Sequence, residues 1–285
     1  TKFGNRVKIN KILITIKHLE NQQIEESEFD IEEIERELIE KRHYTSTNRW
    51  VPTNSIKNGY IVNHIDANAE NLSEDELFKL VSIKGGKTIG ISALSVEYRD
   101  SVHKTFEIIK EAKSDAKTVL GGVYPSISPE VAKRDKNIDF IVISEGEKRL
   151  VELLNCLRDN LPFDDIDGLH YRTGDEWHYN PRKITGNVDD LDQLPFPDYS
   201  DYNTSKLFNW SQKYTQNFQF RKLPMTIMMT SRGCVYKCTY CSAPAFDTTF
   251  KEQGKWLRDK PMAQIFEEID YYVNEWDVEY FYFVI

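Results

Sequence analysis

Lys87-Thr88-Ile89-Gly90-Ile91-Ser92, the segment from Tyr98 to Lys113, and Thr118-Val119-Leu120-Gly121-Gly122 decide the fold. The first and third are short β-branched runs that read as buried strands, the third ending in a glycine pair. The segment between them places Val102, Phe106, Ile109 and Ala112 on one side at helical spacing. A strand, a helix and a strand of these lengths make a right-handed βαβ unit, and such units build a parallel sheet covered on both faces.

The same rhythm runs outward in both directions. Tyr60-Ile61-Val62-Asn63-His64-Ile65 reads as a strand, and Ser73-Glu74-Asp75-Glu76 is a capping box opening a helix through about Ile83, with Leu77, Leu80 and Val81 on one face. Pro129 to Lys133 reads as a short helix behind Ser128, Phe140 to Ile143 as a strand, and Glu147 to Arg158 as a helix. Upstream, Lys11 to Ile16 is a buried strand and Asp30 to Tyr44 a helix with Ile31, Ile34 and Leu38 inward. Thr45 to Lys57, with Pro52 and several Asn, Ser and Thr residues, reads as loop. The expected class is α/β, with a doubly wound, Rossmann-like parallel sheet of five strands over residues 1–160. A ligand of such a sheet sits beyond the carboxyl ends of its strands. That singles out His18, Asp66, Ser92 to Leu94, Gly121 to Tyr124 and Ser144 to Gly146.

Residues 161–222 change character. Gly168 to Tyr179 reads as a β-hairpin turning at Thr173-Gly174-Asp175, and Leu194-Pro195-Phe196-Pro197-Asp198 as a stiff linker. Residues 223–285 then hold one further βαβ unit: a strand from Met225 to Thr230, a helix from Pro261 to Asn274 facing inward through Ile265, Ile269 and Val273, and a strand from Glu279 to Ile285. One such unit neither closes a barrel nor covers its own sheet. The expectation is the first part of an incomplete partial (β/α) barrel, in a fragment or truncated product.

With 285 residues, 40% of them apolar and 29% charged, the chain has the composition of a soluble globular protein. No apolar run approaches the roughly 20 residues that span a bilayer, and no charged-then-apolar leader stands at the N-terminus. A cytoplasmic protein without membrane partners is expected. The net charge of −9 is unevenly spread: Glu20 to Glu40 carries ten acidic residues and one basic, while Ser205 to Lys260 carries ten basic and three acidic. The first reads as a solvated helix face. The second surrounds the cysteines and suits an anionic cluster or substrate. No aromatic-rich RNA module accompanies it, so nucleic acid is not expected as a partner.

Three of the four cysteines, Cys234, Cys238 and Cys241, lie within eight residues at Cys-x₃-Cys-x₂-Cys spacing, directly after the Met225 strand. Cys156 stands apart in a helical apolar pattern and reads as a buried structural thiol. Three thiolates on a short loop bind a soft metal centre and leave a fourth position open. Zinc also accepts such spacings, but the nearest histidine in sequence is His178, and Cys156 is farther. A [4Fe-4S] cluster is the reading these spacings favour.

Cys234, Cys238 and Cys241, introduced by Arg232-Gly233 and with Tyr240 as the aromatic before the last cysteine, resemble the signature of the radical S-adenosylmethionine (SAM) superfamily. The resemblance implies that the open iron chelates S-adenosylmethionine. Electron transfer from the cluster then cleaves it to a 5′-deoxyadenosyl radical. Ser92-Ala93-Leu94, followed after 26 residues by Gly121-Gly122, is similar to the Ser-x-Leu … Gly-Gly half of the cobalamin-binding motif. Gly121-Gly122-Val123-Tyr124-Pro125 and Ser144-Glu145-Gly146-Glu147 resemble the same domain as it occurs ahead of radical SAM domains, and Leu194-Pro195-Phe196-Pro197 resembles the joint between the two. The loop after the first strand has His18 but lacks the aspartate and glycine of the lower-ligand motif, so His18 reads first as a solvated loop residue and second as a cobalt ligand.

The chain is therefore identified as resembling the B12-dependent radical SAM superfamily. That implies an enzyme with a [4Fe-4S] cluster, S-adenosylmethionine and cobalamin as cofactors, driving methyl transfer or a radical cyclisation or rearrangement of a small-molecule substrate. It also implies a reductant such as flavodoxin or ferredoxin. The implied sites are Cys234, Cys238 and Cys241 for the cluster, Ser92, Leu94, Gly121, Gly122, Tyr124, Glu145 and Gly146 for cobalamin, and Tyr240 for S-adenosylmethionine. The alternative is a truncated, non-catalytic cobalamin and iron-sulfur binding protein. A methylthiotransferase shares the triad, but its three further cluster cysteines have only Cys156 to answer them here.

Overall fold

The alternation of strand and helix folds as one seven-stranded sheet with helices against both faces. The structure is a computed structural model describing residues 12–18, 50–67, 72–182, 191–199, 224–250 and 255–284. The helix expected over 30–44 and the polar, aromatic stretch to Arg221 lie outside the described residues. In chain order the first region contains β1 (Ile12–His18), α1 (Trp50–Lys57), β2 (Tyr60–Asp66), α2 (Glu74–Lys84), β3 (Thr88–Ser92), α3 (Arg99–Ala112) and β4 (Lys117–Gly121). There follow α4 (Val123–Ile127), α5 (Pro129–Ala132), β5 (Phe140–Val142), α6 (Glu147–Asp159), β6 (Leu169–Thr173) and β7 (Glu176–Tyr179).

The sheet order is β2-β1-β3-β4-β5-β6-β7. β3, β4 and β5 are parallel neighbours, as the βαβ reading requires. β1 departs from it: it pairs antiparallel with both β2 and β3, so the sheet is mixed. Its last residue, His18, lies opposite Tyr60, the first residue of β2. His18 therefore stands at the amino edge of the parallel strands, the edge remote from the ligand side, and the lower-ligand reading of His18 is corrected on that ground. The hairpin expected within the connecting segment instead extends the sheet, because β6 pairs antiparallel with β5.

Two cores form on the two faces. Ile91, Leu120 and Ile141 point into a cluster with Leu77, Val81, Phe106 and Ile109 of α2 and α3. Their strand neighbours Val119, Phe140 and Val142 point the other way, onto Leu150, Leu153 and Leu154 of α6. That alternation is the period of two in a strand covered on both sides. The capping box is present: Ser73 Oγ accepts from Glu76 N–H at 3.3 Å, and the Glu76 carboxylate accepts from Ser73 N–H at 2.7 Å.

The segment from Thr45 to Lys57 corrects the loop expected there, since Trp50–Lys57 is helical. Pro52 falls in the first turn, where no backbone N–H is needed, and Ser55 and Asn58 return hydrogen bonds to Val51 O (3.0 Å) and Asn54 O (2.8 Å).

The second region is a single β-α-β unit. β8 (Met225–Met229) and β11 (Tyr280–Val284) are parallel neighbours joined through α8 (Met262–Trp276). Between them lie β9 (Ser231–Arg232), the cysteine loop, α7 (Ala243–Phe250) and β10 (Arg258–Asp259), with β9 and β10 paired antiparallel. The inward face of α8 is not the expected one. Gln264, Glu268 and Tyr272 are buried, while Val273 is 44% exposed. Polar partners set that rotation: Lys260 Nζ is paired with the Glu268 carboxylate, and Gln264 Nε2 donates to Leu191 O at 3.3 Å.

Candidate cofactor site

The carboxyl ends of β3 and β4 are fastened to each other by backbone. Ala93 N–H donates to Gly121 O (2.9 Å), and Tyr124 N–H donates to Ala93 O (3.0 Å). Gly122 makes this closure possible. Its φ of 94° with ψ of −167° belongs to a region open essentially to glycine alone, and a Cβ there would lie 2.6 Å from Ala93 O. Gly121 is different: a Cβ on it would meet only Val142 O, at 3.9 Å, and it borders a cavity. The pair thus serves two purposes, since Gly122 closes the turn and Gly121 leaves room. Ser126 ties in the next loop, donating to Gly122 O and accepting from Ser144 N–H, both at 2.7 Å.

These ends form the floor of a cavity of about 560 Å³. Gly90 to Ser92, Leu94, Gly121 to Val123 and Ser144 to Glu147 border it from the sheet side. Arg232, Gly233, Cys234, Cys241, Ser242, Phe246, Trp256 and Arg258 border it from the second region. The rings of Phe246 and Trp256 stack at 6.4 Å and 16°, and Trp256 Nε1 donates to Cys234 O at 3.1 Å. Gly233 has φ of 95°, and a Cβ there would collide with Trp256 O. The cysteine loop is thereby held against the segment that precedes β10.

Charge closes the site at one end. Arg232 pairs with Glu147 (2.6 Å) and Glu145 (3.2 Å), and Arg258 Nη1 donates to the second oxygen of Glu145 at 3.0 Å. Burial opposes the charge on Arg232, but Glu147 and Glu145 outweigh it and hold the guanidinium firmly protonated.

Six of the seven residues implied for cobalamin, namely Ser92, Leu94, Gly121, Gly122, Glu145 and Gly146, border this cavity. Tyr124 does not. It is 1% exposed and its hydroxyl meets His103 Nε2 at 2.9 Å, while His103 Nδ1 meets Asp135 at 2.7 Å. The helix that starts at Val123 turns this ring into the core, so Tyr124 supports the turn from behind. Glu145 borders the cavity with its carboxylate already engaged by two arginines. Tyr240, implied for S-adenosylmethionine, is 91% exposed and lies off the cavity.

Of the three cysteines expected to hold a cluster, Cys234 and Cys241 border the cavity and Cys238 does not, although Cys241 N–H donates to Cys238 O at 3.1 Å. No three His, Cys, Asp or Glu side chains among the described residues stand close enough together to hold a metal ion. The donor set fits a thiolate-held centre by chemistry, three thiols on one short loop, while the sulfurs stand apart in this conformation. The floor fits a ligand that passes along bare backbone at Gly121.

Residues 50–154 match the family model described as the B12 binding domain. That segment of the chain is similar to a B12 binding domain. The match begins at α1 and ends within α6, and so contains every floor residue of the cavity. The cysteine loop lies outside that match, downstream of it.

Among curated proteins, cytidylyl-2-hydroxyethylphosphonate methyltransferase of Streptomyces wedmorensis is 24% identical over 233 residues, covering 74% of this chain and 42% of that protein. The anaerobic magnesium-protoporphyrin IX monomethyl ester cyclase of Rubrivivax gelatinosus is 26% identical over 230 residues, covering 76% and 36%. Among solved structures, the radical S-adenosylmethionine methyltransferase TsrM from Kitasatospora setae, with cobalamin and [4Fe-4S] cluster bound, superposes with a TM-score of 0.59 at 16% identity. It covers 83% of this chain and 44% of that one. The chain spans less than half the length of the relatives it matches. No helix among the described residues is long and apolar enough to cross a membrane.

Several site residues carry no signal in the sequence. Phe246 and Trp256 come from segments without periodicity, and Ser126 is one serine in a short polar run. Arg232 and Glu147 stand within quoted motifs, yet nothing in their spacing says that they meet.

Proposed function

We propose that this chain is the cofactor-binding part of a cobalamin-dependent radical SAM enzyme acting on a small-molecule substrate by methyl transfer or radical cyclisation. One observation supports the reading above the others: a single cavity has the B12-domain floor on one side and two of the three cluster cysteines on the other. Ser92, Leu94, Gly121, Gly122 and Gly146 would hold cobalamin, and Cys234, Cys238 and Cys241 the [4Fe-4S] cluster. Bound there, the cluster would supply low-potential electrons for cleaving S-adenosylmethionine, and cobalamin would supply a transferable methyl group.

This chain's own residues orient and exclude. Gly121 leaves a backbone channel, the Ser126 hydroxyl fixes the two loops that border it, and Phe246 with Trp256 forms an apolar wall over the floor. The loop starting at Gly233 must draw three sulfurs together on loading. The electrons come from a small acidic carrier such as flavodoxin or ferredoxin, which the local excess of Lys and Arg around the cysteines would favour.

The test is anaerobic reconstitution with iron, sulfide and hydroxocobalamin, followed by desalting. The reading expects about four irons per chain and one corrinoid retained, with iron lost in Cys238→Ala and corrinoid retained in that variant. One bound zinc and no corrinoid would refute it.

A further inference from the structure

We infer that Glu145 and Glu147 are positioning residues that lock the cysteine loop over the cobalamin floor, rather than ligand contacts. The inference rests on the cofactor reading above and goes beyond it. Arg232 stands two residues before Cys234, and its guanidinium is shared between Glu147 at 2.6 Å and Glu145 at 3.2 Å. Arg258, in the strand paired with Arg232, takes both oxygens of Glu145. The four side chains are buried or nearly so: Glu147 is 2% exposed, Arg258 5%, Arg232 13% and Glu145 15%.

The two carboxylates come from the loop after β5 and the first turn of α6, and the two arginines from β9 and β10. Every one of these ion pairs therefore crosses from the sheet to the cysteine-bearing region. Two positive and two negative groups balance, so the network costs no uncompensated charge when closed and leaves one when any member is removed. Each side of the junction is anchored within its own region: Glu147 O accepts from Asn54 Nδ2 at 2.8 Å on the sheet side, and Lys260 N–H donates to Thr230 O at 2.9 Å on the cysteine side. Ser144 to Glu147 also borders the cavity. One short loop thus touches the floor's ligand space and holds the residue that introduces the first cluster cysteine. Such a lock sets the separation of two cofactors through side chains whose charges are already engaged with one another.

The test compares Glu147→Gln, Arg232→Gln and the double variant with the parent, first without cofactors and then loaded. Without cofactors, hydrogen exchange of the amides at 231–233 and 256–260 is expected to quicken by about tenfold or more in each single variant. The amides of Ile91 and Leu120 should be unchanged. The double variant should lose no more than the worse single one, since the pair acts as a unit. Additive losses, or exchange unaltered in all three, would overturn the lock. In loaded protein, the magnetic dipolar distance between cob(II)alamin and the reduced cluster should be one narrow distribution in the parent and broad or shifted in the variants, at equal cofactor content. An unchanged distribution overturns the positioning role. Failure of the parent to load overturns the cofactor reading alone, because the exchange measurement still decides the lock.

Discussion

The two ends of the parallel strands are built on opposite plans. At the amino edge, Asp139, Thr118 and Lys110 close on one another. The Asp139 carboxylate accepts from Thr118 N–H (2.8 Å), Thr118 Oγ1 (2.9 Å) and Lys110 Nζ (2.8 Å), and Thr118 Oγ1 accepts from Asp139 N–H (3.0 Å). At the carboxyl edge, glycines, a left-handed Ser144 (φ 70°) and short loops leave a cavity. One end is spent on stability and the other is kept open for a ligand, as expected where binding sites gather at strand carboxyl ends. Substitutions at the amino edge should then change stability without changing cofactor retention, and the reverse should hold for selected positions at the carboxyl edge.

The largest effect is expected at Gly122. Gly122→Ala combines a disallowed φ with overlap on the Ala93 backbone, and should cost about 3 kcal/mol or more. Urea unfolding will show it as a fall in midpoint at unchanged slope. Gly121→Leu is its counterpart: placed in open space, it should change stability by less than about 1 kcal/mol yet abolish corrinoid retention after desalting. If both glycines behaved alike, the division of labour between them would be wrong.

Asp139→Asn should cost about 2 kcal/mol, because charge-assisted hydrogen bonds are lost in a half-buried setting. Burial pushes the Asp139 carboxyl up, but Lys110 and Thr118 outweigh it and hold the group below its ordinary value of 3.8. The pair's contribution is therefore full above that value and is lost as pH falls through the lowered one. Cofactor retention per folded chain should stay the same.

His170 gives the smallest effect at neutral pH and the most selective one, confined to acid. Burial, with Lys133 adding and Glu130 opposing, lowers it from 6.5 to about 4, so the folded chain resists a proton that the unfolded chain accepts. Stability should be full above about pH 6.5 and decline toward pH 4. His170→Phe should flatten that window while leaving the more acidic Asp139 transition in place.

Much of the sheet was legible because its signals are local. The capping box at Ser73, the Val102-Phe106-Ile109 stripe and the turn at Gly174 each act within a few residues, and each stands in the structure as read. The misreadings came where distant contacts decide. Pro52 marks a loop only if its place in a helix is unknown, and in the first turn it is harmless. Ile265, Ile269 and Val273 form the apolar stripe of α8, yet Lys260 draws Glu268 inward and rotates the helix. The antiparallel course of β1 is set by pairing across segments, which no window along the chain contains. At the site, the glycine pair and the cysteines were visible as motifs. The Phe246–Trp256 wall and the four-member ionic network were not, because residues 85 and 113 positions apart meet only after folding.

That one cavity serves both cofactors is tested most directly by thiol alkylation. Cofactor-free chain is treated with iodoacetamide, with and without hydroxocobalamin, and each cysteine is read by mass spectrometry. The cavity account predicts that cobalamin slows modification of Cys234 and Cys241 by about tenfold or more, while Cys156 reacts at the same rate throughout. Cobalamin retained by the chain with Cys234 and Cys241 reacting unchanged would contradict it.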